Sequence, residues 1–227
     1  MFFWDPTFLL IIPALVFALW AQNRVKSAYR RYLQVPSRGG LSGRDVAERI
    51  LASQGLQGVE VRATRGQLDD HYDPRNRSVN LSPAVYQGTS LASLAIAAHE
   101  SGHAMQHAKQ WLPLNLRSAI APTVGFASTL AFPLFFVGFI FSSFRILMDV
   151  GIVFFIGAVL FHMITLPVEF DASRRAMVML REGRYLQADE AEGAKKVLDA
   201  AALTYVAAAA MAVLQLLRLL ILRGARD

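Results

Sequence analysis

His99, Glu100 and His103 are the residues of this chain whose types and spacing most plainly suggest chemistry. They form H-E-x-x-H within a run, 91–110, that reads as helix. An α-helix turns once in ~3.6 residues, so positions four apart share a face. His99 and His103 can then offer two imidazole nitrogens to one metal ion. Glu100 lies off that face, where it can take a proton from a water that the ion activates. The pattern also arises by chance, so its surroundings matter. Ala95, Ile96, Ala97 and Ala98 precede it and suit a packed helix. Gly102 lowers helix propensity by ~1 kcal/mol relative to Ala, and its place between two histidines suggests that something packs closely there.

A metal held this way needs a third donor. His107 continues the series, but on a straight helix it lies ~12 Å along the axis from His99. The zincin pattern with a local third histidine needs a glycine turn and a longer spacing; here the sixth residue after His103 is Lys109. His107 therefore reads as a neighbour of the site or a surface residue. Glu169 is the better candidate. It follows an apolar stretch directly, in a polar helix whose first turn Pro167 suits. Two histidines and a carboxylate leave a position open for water, the arrangement of catalytic zinc. The competing account is a glutamate favoured by the dipole at a helix N-terminus.

The elements that must position these residues are mostly apolar. The chain has 227 residues, 54% of them hydrophobic, with no cysteine and a formal charge of +6. That is too apolar for an ordinary soluble domain. Without cysteine there is neither a disulfide framework nor a thiolate metal site. The positive charge flanks apolar segments, which fits membrane spans better than nucleic-acid binding. Four stretches are long enough to be spans, which need ~20 mostly apolar residues. The first is 6–22, capped by Asp5 and bent at Pro13. A cleaved signal peptide is a poor alternative, because basic residues are lacking before the apolar stretch. The second and third, within 118–166, form a hairpin through 142–145. The fourth is 198–222; its alanine-rich first half leaves an amphipathic or domain-packed helix open.

Two polar regions remain, 23–117 and 167–196. An even number of crossings separates them, so they share one side of the membrane and can build one catalytic domain. Within the first, Pro36-Ser37-Arg38-Gly39-Gly40 reads as a linker and 43–54 as a helix with Val46, Ala47, Ile50 and Leu51 inward. Residues 59–63 alternate as a strand. The turn Asp73-Pro74-Arg75-Asn76 joins 68–72 and 77–81 into a hairpin. Thr89 or Ser90 caps the H-E-x-x-H helix. Ser78, Val79, Asn80 and Leu81 are candidates for an exposed edge that binds a substrate backbone by strand addition; an ordinary structural hairpin is the alternative. The fold class is a mainly α membrane protein, with about four transmembrane helices and a small α+β zincin-like catalytic domain.

Asp70-His71-Tyr72-Asp73-Pro74, Val79-Asn80-Leu81-Ser82, Ala97 to Ala104 and Leu166-Pro167-Val168-Glu169-Phe170 together resemble the YugP-type neutral zinc metallopeptidases of bacterial membranes. The resemblance covers nearly the whole chain. More distantly the chain is similar to the HtpX and CAAX-prenyl-protease group of membrane gluzincins, in which the Glu of E-F-x-A-D binds zinc. The resemblance implies one zinc held by His99, His103 and Glu169, with Glu100 as base. The Asp of that motif falls on Ser173 here. Its task of orienting a zinc-bound histidine then passes to Ser173, Asp171, His107 or a backbone carbonyl.

The expected activity is metal-assisted peptide hydrolysis at a membrane surface, on membrane or membrane-proximal polypeptides. His71, Tyr72, His162 and Arg174 are candidate donors to the tetrahedral oxyanion, and the sequence does not choose among them. A catalytically silent scaffold and a metal-handling membrane protein are the rival readings. The intact Glu100 speaks against the first. Transport ligands belong within spans, which speaks against the second. Arg24, Lys26, Arg30 and Arg31 follow the first span, and Arg117, Arg174, Arg175, Arg181, Arg184, Lys195 and Lys196 share their side. Arg145, Arg223 and Arg226 oppose them. The balance predicts a cytoplasmic catalytic domain and an outside N-terminus.

Overall fold

The computed structural model describes residues 6–66 and 69–225. Asp5, Leu68 and Arg226, each given a role above, lie outside the described residues. The chain is mainly helical with one small mixed sheet, and it divides into two units.

One unit comprises 23–114 and 168–203. Helix α1 (Ile12–Leu33) enters it from the other unit. Helix α2 (Gly43–Ser53) starts where Ser42 accepts from the Asp45 amide and Asp45 returns the bond to the Ser42 amide, a reciprocal cap. Its Val46, Ala47, Ile50 and Leu51 are buried, as their helical spacing requires. Three strands follow: β1 (Glu60–Ala63), β2 (His71–Asp73) and β3 (Ser78–Leu81). Asp73 closes the β2–β3 turn by accepting from the amides of Arg75 and Asn76.

The sheet order is β1-β3-β2, with β1 parallel and β2 antiparallel to β3. This corrects the reading of Ser78, Val79, Asn80 and Leu81 as an edge. β3 is the middle strand, and its backbone groups are committed to ladders on both sides. The reason lies in its side chains: Val79 and Leu81 are fully buried against Ala47, Leu51, Ala97 and Ala104. The most apolar strand takes the centre, and the more polar β1 and β2 take the edges.

After the short α3 (Pro83–Tyr86) comes α4 (Leu91–Ala108), the H-E-x-x-H helix. Ser90 caps it, accepting from the Ser93 amide at 3.1 Å. α4 is buried along almost its whole length. On one side it meets α2 and the sheet. On another it meets Ala176, Met179 and Leu180, then Ala194, Val197 and Leu198.

The other unit comprises 1–22, 115–167 and 204–227. A 3-10 turn, Pro6–Leu10, precedes α1, so Pro13 sits in the first turn of a new helix rather than bending a continuous one. Helices α5 (Leu112–Ile140) and α6 (Ile146–Glu182) form the expected hairpin. Glycines let them approach: a Cβ on Gly151 would lie 2.6 Å from the Ala131 carbonyl oxygen, and one on Gly138 2.6 Å from the Met148 amide. Phe135 fills the contact. Helix α7 (Glu190–Gly224) completes the unit, with Arg223 paired to Asp149 at 2.9 Å.

Two differences from the sequence reading bear on function. The helix carrying Glu169 is not a new one beginning at Pro167. α6 runs unbroken through Pro167 to Glu182. The helix-dipole account of Glu169 therefore falls, because Glu169 lies in the interior of α6 and not at its N-terminus. Among the described residues, three helices, α5, α6 and α7, are long and apolar enough to cross a membrane. α1 is not among them, since its second half carries Arg24, Lys26, Arg30 and Arg31.

Candidate metal centre

α4 and α6 bring three donors together. His99, His103 and Glu169 each offer one ligand atom, and these atoms lie within 4.8 Å of one another. Nε2 of His99 is 3.3 Å from Glu169 Oε2, and Nε2 of His103 is 3.6 Å from the same oxygen. Tetrahedral zinc bonds of ~2.0–2.2 Å put neighbouring donor atoms roughly 3.3–3.6 Å apart. The donor set therefore fits zinc in kind, and its two carboxylate–imidazole distances fit zinc in spacing. The Glu169 side chain is 3% exposed, against 13% for His99 and 11% for His103, so the centre is closed behind the carboxylate and opens slightly on the histidine side.

Gly102 explains how α6 comes so near. A Cβ there would stand 2.8 Å from the carbonyl oxygen of Ala172. The expected close neighbour is thus the backbone of α6, one turn from Glu169. Helices approach this closely only where a side chain is missing.

Each histidine is also held from behind. His99 Nδ1 meets Ser173 Oγ at 3.1 Å, so Ser173 stands where the E-F-x-A-D motif has its Asp. His103 Nδ1 meets Gln106 Oε1 at 3.0 Å, and Gln106 Nε2 donates to the Val168 carbonyl and to Asp171. Asp171 is in turn bound by Arg174 and Arg175. The sequence reading missed Gln106. Its signal was available: it lies three residues beyond His103, on the same face, and is polar in a helix of small apolar residues.

Glu100 is buried. Burial alone would depress the His103 pKa, but the Glu169 carboxylate facing its Nε2 and the charge of Glu100 outweigh it and hold that pKa above its ordinary value. Glu100 also bears on Asp70. Burial first, and the Glu100 charge in addition, hold the Asp70 carboxyl above the usual range, while Ser82 donates to it through its amide and its hydroxyl.

The four candidate oxyanion donors are placed as follows. His71 bonds the main chain of Asp69, and Tyr72 Oη bonds His107 Nδ1 at 2.7 Å. Arg174 is engaged with Asp171. His162 belongs to the other unit. His107 is thus a partner of Tyr72 and stands outside the three-donor cluster.

A protein family described as "Putative neutral zinc metallopeptidase" matches residues 7–224. The chain belongs to that family. Among curated relatives of this metallopeptidase family, "Putative membrane protease YugP" of Bacillus subtilis (strain 168) is 45% identical over 219 residues, which cover 96% of this chain and 97% of the relative. No solved structure matches the chain. The family and its membrane-protease relative agree with the donor set and with the three apolar helices.

Proposed function

We propose that this protein is a membrane-embedded zinc endopeptidase. Its polypeptide substrates are membrane-bound or lie close to the membrane. The observation that carries the reading is the convergence of His99 and His103 from α4 with Glu169 from α6, beside a buried Glu100. These three residues would hold one zinc, which when bound supplies the Lewis acidity that lowers the pKa of a water toward ~7.

Glu100 takes the proton from the attacking water and later passes it to the leaving amine. It follows His99 directly in α4, so it sits off the ligand face and binds no metal itself. Ser173 and Gln106 keep the imidazoles oriented. With β3 closed off as the central strand, extended substrate would pair along an outer edge. β2 is the suited one, since its Tyr72 reaches α4 through His107.

Four membrane crossings remain our reading of the topology. Support comes from the first of the two N-terminal helices: Thr7 accepts from Arg218, and the Arg218 guanidinium lies over the Phe8 ring. Arg223 of the same helix pairs with Asp149 near the hairpin turn. The N-terminal turn, the hairpin turn and the C-terminal end of α7 therefore lie at one end of their unit. The excess of Lys and Arg following α1's apolar half supports our reading of a cytoplasmic catalytic unit.

Glu100→Gln tests the mechanism. Purified protein carrying it should lose peptide hydrolysis of a casein-type substrate by at least ~100-fold, the scale of general-base catalysis, while binding zinc in the wild-type amount. Full activity would sink the reading.

A further inference from the structure

Gln106 is fully buried, and its side chain makes three hydrogen bonds. Its Nε2 faces the Val168 carbonyl at 2.8 Å and Asp171 Oδ2 at 3.0 Å. A carbonyl accepts only, and so does a carboxylate clasped by Arg174 and Arg175. The amide end facing them must be the NH2. The end facing His103 is then the oxygen, which also accepts only. Nδ1 of His103, 3.0 Å away, must therefore carry a proton. In a neutral imidazole the other nitrogen then presents its lone pair. That nitrogen, Nε2, is the one directed at Glu169. His99 is not constrained in this way, because the Ser173 hydroxyl at its Nδ1 can donate or accept.

We propose that Gln106 is a positioning residue that locks His103 in its Nδ1–H form and so reserves Nε2 for the metal. The fixed amide is read outward through Val168 and Asp171 of α6, the helix that also supplies Glu169. The inference rests on the metal-site reading above. The simpler alternative is that Gln106 only ties α4 to α6.

The test uses the full chain in detergent, labelled with 15N-histidine, at alkaline pH without zinc and again with zinc. Three forms are compared: wild type, Gln106→Met, and the double variant Gln106→Glu with Asp171→Asn. Loss of signals in His103→Gln assigns the His103 nitrogens. Methionine fills a similar volume, and its thioether accepts only weakly. The double variant keeps the net charge, restores an acceptor to His103, and lets the amide placed at 171 donate to the carboxylate placed at 106; the Val168 carbonyl loses its donor in both variants, so both should melt below wild type.

Wild type and the double variant should show Nδ1 protonated and Nε2 bare. Gln106→Met should show mixed tautomers and bind zinc ~10–100-fold more weakly, the usual effect of losing an outer partner of a metal ligand. The double variant should recover most of that affinity. A wild-type His103 protonated on Nε2, or a Gln106→Met variant with wild-type tautomer and zinc affinity, overturns the proposal. So does a double variant that regains zinc affinity without regaining the tautomer, since Gln106 would then be a tie alone. Failure of the metal-site reading would look different: the zinc-free tautomers would appear as expected, yet wild type would bind no zinc.

Discussion

At the scale of single residues, Glu169 and His107 answer differently to the same truncation. Glu169 shares a 4.8 Å cluster with two imidazoles, whereas His107 spends its Nδ1 on Tyr72. Zinc measured per chain by elemental analysis should fall to near zero in Glu169→Ala and stay near one in His107→Ala. Equal losses would mean that the third ligand is misassigned. The pairing of His99 with His103 was legible because i,i+4 spacing is itself a geometric statement. Glu169 was legible only through its place after an apolar run and through family resemblance. Gln106 was legible as a neighbour of His103 from its spacing, but not as a tie to α6. A polar side chain in a helix declares no partner until the facing helix is known, and here that helix is α6.

At the scale of elements, the fit between α4 and α6 depends on Gly102. With a backbone oxygen only 2.8 Å from the position of an added Cβ, Gly102→Ala must push the helices apart. We expect a loss of about 1–3 kcal/mol, seen as a lower melting temperature, together with weaker zinc binding. Gly157, also in a helix interior, has nothing within 4 Å of its added Cβ. Gly157→Ala should be neutral or stabilising by up to ~1 kcal/mol through helix propensity. If both variants melt alike, close packing at Gly102 does not set the site. The sequence reading placed the elements well and their partners less well. Ser42, Ser90 and the apolar spacing of α2 act locally, so they could be read. The rank of β3 in the sheet depends on what covers its two faces, and periodicity does not contain that information. Pro167 misled for a related reason. Proline suits a helix start, yet the flanking sequence was helical enough to carry α6 through it.

At the scale of the whole molecule, the absence of cysteine makes the orientation directly measurable. Ser142 lies in the exposed hairpin turn and Gln57 in an exposed turn between α2 and β1. With the catalytic unit in the cytoplasm, a membrane-impermeant maleimide applied to intact cells should label Ser142→Cys and spare Gln57→Cys until the membrane is opened. The reverse pattern would move the substrates to the outer face. Composition and charge made the membrane setting legible, but they did not count the spans. α1 combines an apolar half with a basic half, so its first half alone reads as a span and the helix as a whole does not.

The order of the ligands along the chain has a consequence in time. His99, Glu100 and His103 are made before α5, and Glu169 only after most of α6. A nascent chain that has reached Arg145 carries the proposed base and two of the three clustered donors, too few for a catalytic zinc site of three protein ligands and a water. The third donor emerges only when both apolar helices of the hairpin have been synthesised. On the proposed reading, hydrolytic competence thus arrives only once Glu169 has been made, and a polypeptide stopped short of that residue has no complete centre with which to cut itself or its neighbours.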